Sequence, residues 1–340
     1  LKWERTGQFD IGLDLGLFNN RLRITTDYYK KKTTDLLYSV AVPATSGYQT
    51  MLKNIGSIEN QGYELSIESD NLTGAFSWTT AFNIAFNRNK VLELGGEEYK
   101  EMAEGDGHLK TGSVRRLIVG EPIGVFYGYR FDGIFQNEEE CKQQTSSASP
   151  IGVGLRRYKD LNGDGKVDAA NDREILGDAN PKFFGGLTNT FAYKGFELNV
   201  FLQYSYGNKI LNYNAMELEN PTGGQNAYAD MVNRWTPENP SNIYPKATTN
   251  RALLVSDRFI EDGSYLKLKT LSLSYSFPKI NLKHIQGLRL YVTGQNLLTW
   301  TKYRGYDPEV SYRGASTLEA GEDFGGYPQS RTFMFGIKLD

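Results

Sequence analysis

Long runs in which apolar and polar residues alternate constrain the fold of this chain more than any other feature. In the clearest run, Phe196–Tyr206, every second residue is apolar, and the residues between include Glu197, Asn199, Gln203 and Ser205. A repeat of two residues is typical of a strand with one apolar face. Strands of soluble proteins usually have about five or six residues, whereas a tilted strand that crosses a bilayer needs about nine to eleven. The length of these runs therefore favours membrane-spanning β-structure.

Composition excludes several classes of protein. The 340 residues have a formal net charge of −2, which gives no electrostatic sign of nucleic-acid binding. Cys141 is the only cysteine, so no internal disulfide can form. No apolar run approaches the roughly 18 residues of a membrane helix, although a β-barrel spans a bilayer without one. The chain begins at Leu1 without a targeting segment, and we interpret it as a piece of a longer protein.

Nine strands are predicted, most of them paired as hairpins. Asn19-Asn20 is predicted to turn between Phe9–Leu17 and the strand from Leu22, and Lys194-Gly195 to turn before Phe196–Tyr206. The other predicted strands are Tyr63–Glu68, Phe76–Asn87, Phe183–Tyr193, Tyr265–Phe277, Leu288–Leu298 and Thr332–Leu339. Lys267 and Lys269 share the parity of apolar Leu271, so we expect a β-bulge in that strand, or lysines above the lipid.

Short and long connections alternate strictly in this prediction. The long ones are Thr34–Ser57, Asn89–Lys182, Gly207–Asp257 and Thr299–Ser330. Outer-membrane barrels have short periplasmic turns and long extracellular loops. The sequence therefore predicts an all-β fold, an antiparallel up-and-down transmembrane β-barrel, with Asp340 at the periplasmic rim.

The strand count is odd. A further strand pair within Arg116–Phe135 would give about 9–11 strands, still an odd number, whereas single-chain bacterial barrels usually have an even number. We therefore expect the remaining strands to come from outside this chain. The alternative fold is a soluble antiparallel sandwich that binds carbohydrate at the cell surface without transport. A sandwich would cover each apolar face with a second sheet and has no such rule of connection length.

The longest predicted loop contains a pattern typical of calcium-binding loops. Oxygen-bearing side chains occur at positions 1, 3, 5 and 9, a Gly at 6, and a backbone carbonyl is available at 7. The predicted ligands are Asp160, Asn162, Asp164, Lys166 through its carbonyl, Asp168 and Asp172. Position 12 is Asn171, and the carboxylate of Asp172 comes one residue late. The alternative is a Gly/Asp-rich turn that binds nothing; with Ca²⁺, the ion would have a structural role in ordering the loop.

No catalytic set is found, so we predict that the protein is not an enzyme. His108 and His284 are far apart in sequence, and Cys141 lies in a polar stretch without a neighbouring His. A polysaccharide-degrading enzyme would need a carboxylate pair that no motif isolates. Aromatic side chains in the long loops either contact a ligand or stabilise the loops themselves; they are Tyr213, Tyr228, Trp235, Tyr244, Tyr303, Tyr306 and Tyr312.

A series of short motifs follows one order along essentially the whole chain. They are Leu1–Glu4, Gln8–Asp14, Asp27–Lys30, Asn54–Leu65, Gly120–Gly124, Phe126–Tyr129, Asp160–Asp172, Leu266–Tyr275, Gly294–Leu297 and Tyr327–Arg331. Together they resemble the SusC/RagA-like TonB-dependent transporters of Gram-negative outer membranes.

This resemblance implies a barrel of about 22 strands around an N-terminal plug domain. The chain looks like the C-terminal part of such a barrel, without the plug and the first strands. The resemblance also implies a SusD-like surface lipoprotein as partner, the TonB complex as the source of energy, and outer-membrane lipids around the barrel. The function it implies is active import of an oligosaccharide or peptide. Residues that face inward, such as Glu197, Arg289 and Gln295, would then line a polar path.

Overall fold

The computed structural model describes residues 1–41, 47, 50–102, 108–109, 111–220, 226–249, 253–277, 287–309, 311–312, 314 and 318–339. Nine strands form one antiparallel sheet in which each strand pairs with the next along the chain. They are β1 (Arg5–Leu17), β2 (Leu22–Ala41), β3 (Thr50–Thr73), β4 (Phe76–Leu94), β5 (Phe183–Tyr193), β6 (Phe196–Tyr206), β7 (Tyr265–Phe277), β8 (Leu288–Thr301) and β9 (Thr332–Leu339). This sheet, called the wall below, confirms the predicted up-and-down order of a barrel.

Shorter elements occupy the long connections. The strands there are Tyr99–Glu101, Arg116–Ile118, Val125–Tyr129, Phe131–Ile134, Thr145–Ser146, Arg156–Tyr158, Lys166–Val167, Arg173–Asp178, Lys209–Asn212, Ile260–Asp262 and Glu322–Asp323. The helices are Glu138–Gln143 and Tyr213–Leu218, with 3₁₀ turns at Ala229–Asn233 and Asp257–Phe259. Among the described residues, no helix is long and apolar enough to cross a membrane.

The register of the wall separates an apolar face from a polar one. Val200 lies opposite Asn189 on β5 and Leu271 on β7, so its side chain points to the same face as theirs. On that face Phe9 is 60% exposed and Phe335 is 81% exposed. No second sheet covers this face in the described part of the chain. The sandwich alternative is therefore wrong, and the apolar face is the one that meets lipid.

Two short turns confirm the hairpin predictions. Phe18, Asn19 and Asn20 have φ of 53°, 58° and 64° between β1 and β2. Lys194 and Gly195 have φ of 46° and 87° between β5 and β6. Lys194-Gly195 is a two-residue turn, to which left-handed residues give the twist that matches the flanking strands, whereas the first turn has four residues between the paired Leu17 and Leu22. Asn and Gly adopt the left-handed conformation at low cost.

The predicted bulge in β7 is confirmed at Lys269. Phe201 pairs with Thr270, and the next residue of β6, Leu202, pairs with Leu268, so Lys269 is the extra residue. The register with β8 shifts at the same place. An extra residue changes the parity of a strand. Lys267 thereby faces the polar side, whereas Leu271 faces lipid.

The predicted long connection Thr34–Ser57 is wrong, because β2 continues to Ala41 and β3 begins at Thr50. The register between the two strands shifts on both sides of Leu36, and Asp35 has a φ of 60°. This irregularity breaks the alternation of apolar and polar residues by which the strand was predicted, although the backbone ladder continues beyond it.

The predicted strand pair within Arg116–Phe135 does not join the wall. Its strands pair instead with other short strands: Val125–Tyr129 lies against Arg173–Asp178, and Phe131–Ile134 against Arg156–Tyr158. Phe126 and Ile134 are fully buried. Such side chains belong in the core of a folded loop region and not on a lipid-facing strand, so the wall keeps nine strands.

Candidate functional site

The polar face of the wall carries the residues predicted to face inward. On that side of β6 and β7, Glu197 pairs with Ser274, Asn199 with Ser272 and Gln203 with Lys267. Arg289 Nη2 donates to Glu197 Oε1 at 2.5 Å and to Ser274 Oγ at 2.7 Å. Asn199 Nδ2 donates to Thr190 Oγ1 at 2.9 Å. These side chains form a hydrogen-bonded polar surface, which is compatible with a hydrophilic solute passing along it.

A buried cation joins the upper end of this surface to the last long loop. Lys267 is 1% exposed, and its Nζ lies 3.1 Å from Asp307 Oδ1 and also contacts Glu309. Lys269 Nζ lies 3.1 Å from Glu309 Oε2. Burial opposes ionisation of the two carboxyls, but hydrogen bonds from backbone and lysine donors lower the pKa of Asp307 and that of Glu309. The bulge at Lys269 therefore provides the anchor of this loop over the inner face.

The long connections fold into one body with its own core. We call the described residues of 95–182, 207–264 and 302–331 the loop body. Its buried apolar cluster takes residues from the first two segments, and Phe324 of the third packs against it. The buried residues are Leu109, Val114, Phe126, Leu211, Tyr213, Ala215, Met216, Leu253, Val255 and Phe259. A core of this kind gives the loops a fixed shape above the wall.

A buried ion pair ties the first of these segments to the last. Arg115 is 1% exposed and Glu322 is 2% exposed, and their Nε and Oε1 atoms lie 2.9 Å apart. The guanidinium of Arg115 lies 4.2 Å from the ring centroid of Phe126 and donates to the carbonyl of Gly124 at 2.6 Å. A buried charge is tolerated when it is paired and hydrogen-bonded in this way.

A second charged cluster centres on Glu219, which is 1% exposed. Arg258 Nη2 and Arg304 Nη1 lie 2.6 and 2.8 Å from its carboxylate oxygens. Arg304 also contacts Glu261 at 2.8 Å. Two of the three long connections thereby share one electrostatic network, because Glu219, Arg258 and Glu261 lie in 207–264 and Arg304 lies in 302–331.

Most loop aromatics predicted as ligand contacts or loop stabilisers are structural. Tyr213 is fully buried, and Tyr303 donates to Asp323 Oδ2 at 2.5 Å. Trp235 Nε1 donates to Gln136 Oε1 at 3.0 Å. Tyr306 is different, with 76% of its surface exposed beside Asp307. Tyr327, which begins the Tyr327–Arg331 motif but was not among the predicted loop aromatics, is 89% exposed.

The predicted calcium-binding residues form one tight loop. Asp160 accepts the N–H groups of Gly163 and Gly165, both at 2.7 Å, and Asp164 Oδ1 accepts that of Lys166 at 2.8 Å. Asn162 Nδ2 donates to Asp164 Oδ2 at 2.9 Å. These contacts bring the first three predicted ligands together, as a calcium loop requires.

The end of this loop departs from a calcium-binding arrangement. Asp172 is fully buried, and its two oxygens accept the N–H groups of Leu161 and Asp168 at 2.7 Å. Asp168 forms an ion pair with Lys166 at 3.2 Å, and hydrogen bonds from Asn171 and Lys166 lower its pKa. Within the described residues, no group of three or more Asp, Glu, His or Cys side chains is arranged to hold a metal ion. The donor atoms suit Ca²⁺, but several are engaged by the loop itself.

The remaining candidates have ordinary surroundings. His108 is half-exposed, and its Nε2 lies 3.6 Å from Glu217 Oε1. Cys141 is a free, partly exposed thiol, and burial followed by the nearby carboxylates of Glu138 and Glu140 raises its pKa. A raised pKa disfavours the reactive thiolate. His284 lies outside the described residues.

Sequence reasoning missed the buried charges that hold the loop body together. Arg115 and Glu322 are 207 positions apart, so no local spacing reveals their pairing. The one available signal is weak: Arg115-Arg116 stands in an otherwise apolar stretch that ends at Ile118 and Val119.

Comparisons with known proteins agree with this architecture. Residues 1–297 match the family model described as TonB dependent receptor-like, beta-barrel. TonB-dependent receptor P3 of Formosa agariphila is 41% identical over 100% of this chain and 34% of its own length. TonB-dependent receptor SusC of Bacteroides thetaiotaomicron is 30% identical over 100% of this chain and 32% of its own length. The chain thus spans about a third of the length of these relatives.

A solved structure shows the same relationship. The structure of the RagAB peptide transporter superposes with a TM-score of 0.80 and 27% identity, covering 100% of this chain and 36% of the other. TonB-dependent receptors are outer-membrane transporters and not enzymes, so the predicted location and the predicted lack of an enzymatic role are both confirmed. This chain belongs to the TonB-dependent receptor β-barrel family and resembles its SusC and RagA members.

Proposed function

We propose that this chain forms the C-terminal part of the barrel wall of an active outer-membrane importer of oligomeric nutrients. The observation that carries the proposal is the single-layer wall, whose apolar face is exposed and whose opposite face is lined by Glu197, Asn199 and Arg289. Such a wall separates lipid from a wet interior. The loop body anchored at Lys267 lies where it can limit access to that interior from outside the cell.

The partners follow from the family. The remaining strands and an N-terminal plug domain complete the barrel from outside this chain, and the TonB complex acts on the plug. A SusD-like surface lipoprotein closes over the extracellular side. Support comes from the likeness to SusC and to the RagAB transporter over the full length of this chain.

The transported ligand is an oligosaccharide or a peptide, and Tyr306 and Tyr327 are the side chains that we place against it. Both are largely exposed. The segments that carry them are joined by the N–H of Gln329, which donates to Asp307 Oδ2 at 3.0 Å, and Asp307 in turn contacts Lys267 of the inner face. An exposed aromatic ring with a hydroxyl edge stacks on a sugar ring or covers a peptide side chain.

Uptake by cells tests the proposal. A strain that lacks the full-length protein is compared with its complemented strain during growth on single polysaccharides and on peptide mixtures as the only nutrient source. We expect loss of growth on one of these classes, its return on complementation, and its loss again when a protonophore removes the proton gradient. Equal growth of both strains on every oligomer would overturn the proposal.

A binding measurement then tests the two tyrosines. With the oligomer identified by growth, Tyr306→Ala and Tyr327→Ala in the full-length protein should each weaken binding by about 0.5–1.5 kcal/mol, the usual contribution of an aromatic contact. Tyr312→Ala, at a less exposed position in the same loop, is the matched control. Unchanged affinity in both variants contradicts the placement of the ligand but leaves import itself intact.

We further propose that the Asp160–Asp172 loop binds Ca²⁺ as a structural ion. The support is the set of oxygen donors at the expected positions and their convergence on one turn. Binding would exchange some of the loop's own hydrogen bonds for contacts with the ion.

A further inference from the structure

Cationic side chains lie on the lipid-facing side of the wall, directly above its apolar band. Tyr28, Tyr63 and Phe86 form one cross-strand row on that side. The next row outward contains Lys30, Gln61 and Arg88, and the one after it contains Lys32, Glu59 and Lys90. Each step of two residues advances about 7 Å along a strand. The cations therefore begin where an aromatic row ends, at the depth of lipid head groups.

Most of these cations form no ion pair among the residues that the structure describes. Lys30 contacts Glu59 at 3.2 Å. Within the described ranges, no ion pair engages Lys32, Arg88, Lys90 or Lys182. Three arginines of the loop body behave differently, since Arg115, Arg258 and Arg304 are all paired with carboxylates. In the two outward rows, called the belt below, Lys32, Arg88 and Lys90 therefore carry positive charge that no ion pair within the described ranges neutralises.

A cavity of about 230 Å³ lies within the belt. Arg88, Lys90 and Lys182 line it, together with the carboxylate of Asp178 and the amide side chains of Asn89 and Asn180. It forms where β4 extends beyond β5: their pairing ends at Ala85 and Phe184, whereas β4 runs on to Leu94. Glu59 and Gln61 on β3 also line it, and both face the lipid side. A water molecule takes about 30 Å³ in the liquid, so the cavity has room for an anionic group.

We propose that this belt binds the phosphate group of an anionic lipid in the outer leaflet. Arg88 can offer two parallel N–H donors to phosphate oxygens, and Lys90 and Lys182 add point charges. The acyl chains of the same molecule would lie on the aromatic and aliphatic rows below, which face the same side. Three cations outnumber the two carboxylates at the cavity, Glu59 and Asp178, so the remaining positive charge matches a phosphate better than a neutral head group.

Native mass spectrometry of the detergent-solubilised full-length protein tests the proposal, with three probes: phosphatidic acid, diacylglycerol of the same acyl chains, and inorganic phosphate. We expect retention of phosphatidic acid well above the other two. Each removed cation should weaken that binding about fivefold, since one cation near an anionic surface contributes about 1 kcal/mol. Arg88→Gln with Lys90→Gln should therefore lose roughly thirtyfold.

The matched control is Lys31→Gln, because Lys31 lies at the same height on the opposite face of β2, paired with Asn60. It should leave binding unchanged, and all variants should keep the heat-modifiable migration of a folded barrel. Binding of diacylglycerol equal to that of phosphatidic acid would show contacts with acyl chains only and overturn the proposal. Equal binding of inorganic phosphate would make the site one for a solute, which also overturns the lipid assignment. Unchanged binding of phosphatidic acid by the variant with Arg88→Gln and Lys90→Gln would also overturn the proposal.

Discussion

The wall and the loop body are both built from paired strands, antiparallel throughout the wall and partly parallel in the loop body, but they place apolar side chains in opposite ways. In the wall, Phe335 and Ile337 are exposed by 81% and 69% on the apolar face. In the loop body, Phe126 and Phe259 are fully buried. The difference follows from the surroundings: lipid covers the apolar face of the wall, whereas the loop body must bury its own apolar residues against water.

The burial of charged residues also differs between the two regions. Arg115 and Glu322 are buried together within the loop body. On the lipid-facing side of the wall, charges occur only beyond the aromatic row, as at Arg88 and Lys90. The comparison teaches that the buried charges Arg115 and Glu322 are held by partners from distant loops, and that outward charge is excluded from the hydrocarbon depth.

The largest expected effect is in the loop body. Arg115→Met leaves Glu322 buried without its cation, which should cost about 3–5 kcal/mol of local stability. Hydrogen exchange of the full-length protein should show lost protection around Val125–Tyr129 and unchanged protection in β5 and β6. The double variant Arg115→Met with Glu322→Gln removes both charges and should lose less. A single variant no weaker than the double would show that the pair is unimportant.

The next effect is in the wall. Val200→Arg places a charge near the middle of the apolar band, which should cost about 2–4 kcal/mol in a barrel. Asn199→Arg, one residue away on the polar face, should be close to neutral. The measurement is the urea midpoint of the full-length protein refolded into phosphatidylcholine vesicles. Equal midpoints for the two variants would contradict the assignment of the faces.

A smaller effect is expected at the junction of the two regions. The pKa values of Asp307 and Glu309 are lowered from ordinary values of 3.8 and 4.5. Lowered carboxyl pKa values stabilise the docked loop above those ordinary values, and this stabilisation is lost as pH falls below them. A spin label attached through Tyr306→Cys, with the free Cys141 replaced by Ser, should become more mobile below about pH 4.5. With Lys267→Met added, the label should be mobile already at neutral pH; a label as immobile as before would refute the anchor.

The smallest effect is expected at the calcium loop. Removal of Ca²⁺ with a chelator should speed tryptic cleavage near Lys166 in the full-length protein, because the ion would order this loop. Asp160→Asn and Asp164→Asn should cleave at the fast rate with or without Ca²⁺. Asp132→Asn, a carboxylate elsewhere in the loop body, should behave like the unmodified protein. A cleavage rate insensitive to the chelator removes the proposal.

The sequence predicted those parts of the fold that depend on neighbouring residues. The turns at Asn19-Asn20 and Lys194-Gly195 and the bulge at Lys269 are local features, and all three are present. Alternation also identified the lipid-facing strands, because only a bilayer demands one apolar face over so many residues.

Prediction failed where the environment is uniform or the contact is distant. The upper parts of β2 and β3 lie beyond the apolar band, so neither of their faces has to be apolar and the other polar. The irregularity at Asp35 disrupts the alternation that remains. The candidate site depends on pairs such as Arg115 with Glu322, whose separation in sequence exceeds any local pattern. Exposure of Tyr327 is likewise a property of the folded loop.

The extra residue in β7 has a consequence for how this chain can change in length. Deleting or inserting one residue elsewhere in a membrane-crossing strand turns its apolar side chains to the lumen and its polar side chains to lipid, so such changes are tolerated only in pairs. At Lys269 the strand already contains one unmatched position. Losing that single residue would make the ladder with β6 continuous and leave Lys267 opposite Gln203 on the lumen side, so this is a position of β7 where a one-residue deletion preserves both faces.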